Sequence, residues 1–264
     1  MLQLGPLAMA ADRAAAVLAI WAFVGIGGLV ASRLDTKAGR VSWVAAGVGI
    51  VASRIGYLLE NLSAYLVEPW TMLALWQGGF SPWAGVAAAA ATVVAMLGRQ
   101  RAGVVLIGAL AALWIAHGSL TALTAPATRA MPDGIALATV DGQSFRLDSL
   151  RGQPFVLNLW ATWCPPCRRE MPMLVDVAQS STVPILLVNQ GETAGQVKEF
   201  LSDNRLPGES VALDTTQRVA AATRARAYPT TVFVDADGKI VGVHAGEISR
   251  AALTDAIRDL ERTI

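Results

Sequence analysis

The sequence is poor in charge: 16% of its 264 residues are Asp, Glu, Lys or Arg, against 54% hydrophobic ones. An ordinary soluble domain carries roughly a quarter charged residues, so this shortage argues against a chain that is water-exposed throughout. Cysteine and histidine are also scarce, at two each. Cys164 and Cys167 are separated by only two residues, a spacing suited to local redox chemistry rather than to stapling a fold. A zinc site would need four ligands, and of the two histidines that could join them, His117 and His244, His117 lies in an apolar stretch predicted below to span a membrane, so no zinc site is expected. The net charge is +1 and basic residues form no run, which removes the electrostatic basis for binding nucleic acid.

The missing charge is missing mainly from the first half. Up to Thr128 there are seven basic and four acidic residues, leaving fourteen and sixteen for the rest. Four apolar stretches, 14–32, 41–59, 80–97 and 104–123, are predicted to span a membrane. The first runs about 19 residues without a charge, enough at about 1.5 Å per residue to cross a hydrocarbon layer of about 30 Å. It is too long for a signal-peptide core, and Ser32-Arg33 does not form a small-x-small cleavage site, so it is predicted to be retained. Arg54 lies inside the second stretch, where it either marks a functional site or snorkels to the interface beside Glu60 or Glu68. His117, in the fourth, is expected to hydrogen-bond between helices. Residues 60–79 are too polar and Pro-interrupted to cross; with Tyr65, Trp70 and Trp76 they read as an interfacial or re-entrant arm. Arg33, Lys37 and Arg40 fall between the first two stretches, and Arg99 and Arg101 between the last two. Positive loops stay in the cytoplasm, which places the second half in an oxidising compartment on the far side.

L-Q-L-G-P-L at 2–7, S-R-I-G-Y-L-L at 53–59 and W-Q-G-G-F-S at 76–81 resemble, in order and spacing, the N-terminal half of prolipoprotein diacylglyceryl transferase. That family carries a functional histidine in an F-H-G-G stretch where this chain has Trp83, and its later G-R-x-G-N-F-x-N-G-E signature is absent here. The resemblance, over about the first 120 residues, therefore implies a helical scaffold able to hold a lipid, without transferase activity.

Thr124 to Gly134 combines prolines and small residues without periodicity and reads as a linker. A hairpin is expected over 135–147, around Asp141-Gly142. A buried strand over 155–160 leads into Cys164-Pro165-Pro166-Cys167, and a helix with a kink at Pro172 follows to Ala178. A second strand over 183–188, helices over 194–202 and 217–224, a hairpin of strands 231–234 and 240–243 and a closing helix over 249–262 complete an α/β pattern. A thiolate at a helix N-terminus faces unpaired N–H groups and the positive end of the macrodipole, so Cys164 is expected to be the acidic, attacking thiol. Cys167, one turn along, is expected to resolve the mixed disulfide. A purely structural disulfide would need neither the prolines nor the exposed junction.

The run W-x-x-W-C-P-P-C with R-R-E-M-P at 168–172, together with D-S-L-R-G at 148–152, V-N-x-G-E at 188–192, Y-P-T-T at 228–231 and D-A-D-G-K at 235–239, resembles membrane-anchored thioredoxin-fold reductases of the TlpA and ResA type. The resemblance implies that Pro229 is the family's cis-proline, exposing the preceding backbone to a substrate strand. It implies that Glu192 is a carboxylate near the disulfide, able to exchange a proton with Cys167; the competing reading is a helix N-terminal acid. Asn158 stands where cytosolic thioredoxins carry a buried aspartate. Trp163, Pro165, Pro166, Tyr228 and Pro229 are expected to bind substrate, Trp160 to pack beneath the dithiol and His244 to sit in a strand.

The expectation is thus an α-helical membrane domain of about four spans (1–123), a linker (124–134) and an α/β thioredoxin-like domain (135–264). Its implied role is a membrane-anchored, extracytoplasmic thiol-disulfide oxidoreductase that reduces protein disulfides, as in cytochrome c maturation or periplasmic disulfide reduction, with Cys164, Cys167 and Glu192 catalytic. Two alternatives remain: a dithiol oxidant, and a lipid- or lipoprotein-binding membrane module with a regulatory dithiol. No cofactor or metal is expected. The expected partners are disulfide-containing extracytoplasmic proteins, membrane lipid and, because residues 1–128 hold no cysteine, a separate membrane thiol electron donor. The expected location is the bacterial inner membrane, multi-pass, with the second half in the periplasm or outside the cell.

Overall fold

The computed structural model describes residues 2–4, 7–9, 11–124 and 128–262, and the chain divides into two compact units, Met1–Ala125 and Pro126–Ile264. Gly5 and Pro6 of the opening motif lie outside the described residues.

In the first unit a short hairpin of β1 (Leu2–Leu4) and β2 (Leu7–Met9) precedes α1 (Ala11–Arg33), α2 (Lys37–Glu60), α3 (Leu62–Val67), α4 (Pro82–Leu97) and α5 (Arg101–Thr124). Among the described residues, three helices are long and apolar enough to cross a membrane: 14–33, 37–60 and 101–123. The third expected span is the shorter α4, whose 16 residues extend about 24 Å, because Pro82 fixes its start and Gly98 (φ 57°) ends it. Lys37 and Arg40, expected in a loop, belong to α2; the Asp35 carboxylate accepts the Lys37 N–H at 2.9 Å and starts the helix early. Phe23, Ala38, Val41, Ala45, Val93 and Leu106 make the core, while Leu18, Trp21, Trp43 and Ile115 face outward. An apolar outside is what lipid contact requires. α2 and α4 pack directly against each other, and a Cβ at either Gly49 or Gly85 would lie 3.0 Å from the other's carbonyl oxygen. Small residues permit this close approach of helix backbones.

The structure corrects the snorkelling reading of Arg54. Its side chain is buried, and residues 61–79 fold around it as α3 and two turns of 3-10 helix. The guanidinium donates to the carbonyls of Thr71 (3.2 Å), Met72 (2.9 Å), Gly78 (2.6 Å) and Gly79 (2.7 Å). The rings of Tyr65 and Phe80 lie 5.6 and 5.7 Å away. The irregular arm leaves carbonyls without helical partners, and the fork of guanidinium donors satisfies them. Glu60 instead accepts from Ser81 Oγ (2.9 Å) and Trp83 Nε1 (3.0 Å). Tyr65 is buried beside Arg54, whereas Trp70 and Trp76 are exposed. His117 Nδ1 has no hydrogen-bond partner, so the expected interhelical bond is not made through that atom.

The second unit is one eight-stranded sheet flanked by helices. In chain order it contains β3 (Arg129–Ala130), β4 (Ala136–Thr139), β5 (Ser144–Arg146), β6 (Phe155–Trp160), α6 (Pro165–Ser180), β7 (Ile185–Gln190), α7 (Ala194–Asp203), β8 (Val211–Asp214), α8 (Arg218–Thr223), β9 (Thr230–Val234), β10 (Lys239–Ala245) and α9 (Arg250–Glu261). The strand order is β3-β10-β9-β6-β7-β8-β4-β5, with β6, β7 and β8 parallel and the other neighbours antiparallel. This is the thioredoxin-like α/β arrangement. Every residue of β6 is buried. Its alternation sends Phe155, Leu157 and Leu159 into one apolar layer and Val156 and Trp160 into the other, so Asn158 shares the second face. Two short strands add to the expected pattern. β8 pairs with β7 and β4, and β3, inside the stretch read as linker, pairs with β10, while the neighbouring Met131 is buried. α6 runs through Pro172 to Ser180.

Candidate active site

β6 ends at Trp160 and the chain turns through Ala161, Thr162 and Trp163 into α6, which Cys164 caps. Pro165 and Pro166 occupy the opening helical positions, where the missing N–H groups cost nothing and the fixed φ suits the helix. Cys164 and Cys167 are joined in a disulfide, and Cys164 Sγ accepts the Cys167 N–H at 3.3 Å. Cys164 retains 3% exposure and Cys167 none. Attack from outside therefore reaches Cys164 first.

The aromatic surface beside the disulfide is Trp163, 67% exposed, with the half-buried Tyr228 ring 6.2 Å away. The Tyr228–Pro229 bond is cis, and the Pro229 carbonyl accepts the Gly246 N–H at 2.9 Å. Burial, with Asp214 adding to it, pushes the Tyr228 hydroxyl above its ordinary pKa. Trp160 lies fully buried below, 5.4 Å from the Phe200 ring. His244 lies in β10, as expected.

The structure corrects the helix N-terminal reading of Glu192. Its carboxylate accepts from the Thr162 backbone N–H (2.8 Å), the Thr162 hydroxyl (2.5 Å) and Asn189 Nδ2 (2.6 Å). The helix behind it is capped by Thr193 in a capping box with Gln196, so Glu192 is not the cap. It ties the loop after β7 to the turn that delivers Cys164.

The carboxyl behind the dithiol is Glu170, three residues past Cys167 on the same face of α6. It is buried, and accepts from Asn158 Nδ2 (3.0 Å) and the Ile248 N–H (2.9 Å). Burial outweighs those two bonds and pushes its pKa up to about 8. Asn158 Nδ2 also reaches Thr231 Oγ1 (3.1 Å) in the strand that follows Pro229. Asn158, at the position of the thioredoxin aspartate, thus bridges an acid on α6 to the cis-proline strand. The C-x-x-C-R-R-E spacing is the sequence signal for Glu170.

The AhpC/TSA family profile matches residues 127–243. The chain is 35% identical over 130 residues to the thiol:disulfide interchange protein DsbE homolog of Paracoccus denitrificans, covering 48% of this chain and 72% of that one. It is 32% identical over 163 residues to the thiol-disulfide oxidoreductase ResA of Geobacillus thermodenitrificans, covering 60% and 93%. A solved structure of MTB dsbF in its mixed oxidized and reduced forms aligns at 32% identity with a TM-score of 0.44, covering 48% of this chain and 94% of that one.

Proposed function

We propose that this chain, which belongs to the ResA and DsbE family of thiol-disulfide oxidoreductases, is a multi-pass membrane protein that reduces protein disulfides outside the cytoplasm. The observation that carries the reading is the Cys164–Cys167 disulfide at the N-terminus of α6, with Cys164 keeping a trace of exposure, Cys167 sealed, and a buried acid one turn further along the helix.

In the reduced chain, the Cys164 thiolate attacks one sulfur of a substrate disulfide. A Cys164–substrate bond forms, and the second substrate sulfur leaves and takes a proton. Cys167 then gives up its proton and attacks Cys164 Sγ, restoring the intramolecular disulfide and releasing the first substrate sulfur as a thiol. The substrate gains two electrons from the chain and takes the protons that complete its two thiols from solvent. Glu170 closes the proton cycle. In the disulfide form it is protonated at neutral pH; when a donor dithiol opens the disulfide, it protonates the buried Cys167, and the resulting carboxylate later takes that proton back. The donor is a separate membrane thiol protein, because the first 128 residues hold no sulfur nucleophile of their own. Trp163, Pro165, Pro166 and Tyr228 form the surface on which the substrate strand lies, next to the buried Pro229. The first unit anchors the enzyme in the bacterial inner membrane and contacts lipid, with α4 as a fourth, shorter span. Cytochrome c maturation is the proposed setting.

A redox titration of the purified full-length chain against a dithiol of known potential tests the direction of flow. A reductant should lie nearer to about −270 mV than to about −120 mV; a value at the upper end would make the chain an oxidant.

Glu192 acts as a positioning residue in this scheme. Glu192→Gln presents an amide donor where three donors now converge, and should cost about 1–3 kcal/mol of stability. Thiol alkylation rates measured from about pH 5 to 10 should keep the same number of ionisations. Loss of one ionisation from that profile would instead make Glu192 the proton partner of Cys167.

A further inference from the structure

Eight of the fourteen basic side chains in the second unit form ion pairs, with partners such as Asp148, Asp176 and Glu247. Among the described residues, Arg129, Arg168, Arg205, Arg218, Arg224 and Arg226 make no ion pair. Two of these six lie on segments that carry the site: Arg168 beside Cys167 in α6, and Arg226 in the loop that leads to Tyr228 and Pro229. Arg168 is one turn into α6, its N–H bonded to the Cys164 carbonyl (3.1 Å), and its exposed guanidinium lies 5.7 Å from the Phe200 ring on α7. Arg226 is exposed two residues before Tyr228, whose ring meets Trp163. α7 follows β7, which borders β6 on one side, and Arg226 lies on the approach to β9, which borders it on the other. The two residues thus belong to segments that reach the site from opposite sides of β6.

The nearby carboxylates do not cancel them. Glu170 and Asp214 are buried, Asp214 accepting from the Arg218 and Val219 N–H groups; Glu192 is turned inward to Thr162 and Asn189, and Glu247 is engaged by Arg169 at 2.8 Å. The result is an apolar centre, Trp163 with Tyr228, edged by unpaired positive charge. That is the anatomy of a docking surface whose rim selects partners by charge.

We propose that Arg168 and Arg226 select polypeptides whose disulfide is flanked by aspartate or glutamate. This rests on the reductase reading above and adds the substrate's chemistry to it. A partner chain lying across Cys164 and Pro229 passes both guanidinium groups, which hold its acidic side chains in the encounter complex and speed the first thiolate attack.

Three synthetic peptides test this, each closed by one disulfide and differing only in flanking residues: acidic, neutral or lysine. The full chain, pre-reduced and held in zwitterionic nanodiscs, reacts with each in single turnover. At about 20 mM salt the acidic peptide should react roughly three- to tenfold faster than the neutral one and the lysine peptide slower, the rates converging toward about 0.5 M salt. R168E/R226E should reverse the order, and R168K/R226K should keep it. Comparing peptides within each protein cancels any general loss of activity. Equal rates for the three peptides at low salt, or an acidic preference that survives charge reversal, would overturn the proposal while leaving the reductase reading intact. Reduction of none of the three would end both.

Discussion

Cys164→Ser should abolish disulfide reduction, its rate falling to that of buffer, whereas Cys167→Ser should attack normally and stop. The asymmetry follows from position. Cys164 caps α6 and keeps a sliver of exposure, so it alone can be reached by a substrate sulfur; Cys167 is sealed and can only attack inward. Without Cys164 no mixed disulfide forms. Without Cys167 the Cys164–substrate bond forms and has no intramolecular route to resolve. The Cys167→Ser chain should therefore accumulate partners as bands cleaved by reductant, and those bands would identify the substrates directly. In the reduced wild-type chain Cys164 should also alkylate first at neutral pH, since the helix N-terminus stabilises its thiolate. Faster alkylation of Cys167 would exchange the two roles.

Glu170→Gln should alter the pH dependence of stability as strongly as any single change in the second unit. With the native pKa raised to about 8 from an ordinary 4.5, the folded chain binds more protons than the unfolded chain between those values. Stability then falls as pH rises from about 4.5 through about 8, by roughly 5 kcal/mol in total at about 1.36 kcal/mol per unit. Glutamine does not ionise. Its amide can still bond Asn158, whose Oδ1 is buried without a partner and can face it once the Asn158 amide turns over. Denaturant melts of the disulfide form at pH 5, 7 and 9 should thus show the wild type losing stability relative to the variant at each step. Parallel stability curves would mean that Glu170 titrates normally, and would remove it from the proton cycle.

The path from sequence to site was clearest where chemistry is local. β6 is a continuous apolar run, and the C-P-P-C segment carries its own helix start, so strand, turn and cap follow from adjacent residues. β8 has four residues and β3 two, too few to show a period; each is a strand because a neighbour supplies its hydrogen bonds. Glu170 was within reach, at helical spacing from Cys167. Its environment was not, because Asn158 and Ile248 arrive from 12 and 78 residues away. Glu192 illustrates the reverse case. The resemblance names it as a carboxylate near the dithiol, but which way it turns depends on where Thr162 and Asn189 present their donors. Arg54 is the extreme example, since the groups that satisfy it are backbone carbonyls, which no residue identity announces.

That carbonyl cage also constrains how the first unit is made. The acceptors of Arg54 lie 17 to 25 positions further along the chain. At about 5–20 residues per second, the ribosome delivers them one to several seconds after Arg54 itself. Until then α2 carries a bare guanidinium, whose transfer to lipid costs a few kcal/mol. In the multi-pass arrangement proposed above, α2 therefore leaves the insertion machinery together with the arm that follows it. The arm is thus part of what makes α2 acceptable to lipid, and a chain whose residues 61–79 are replaced by a flexible linker should insert α2 less efficiently.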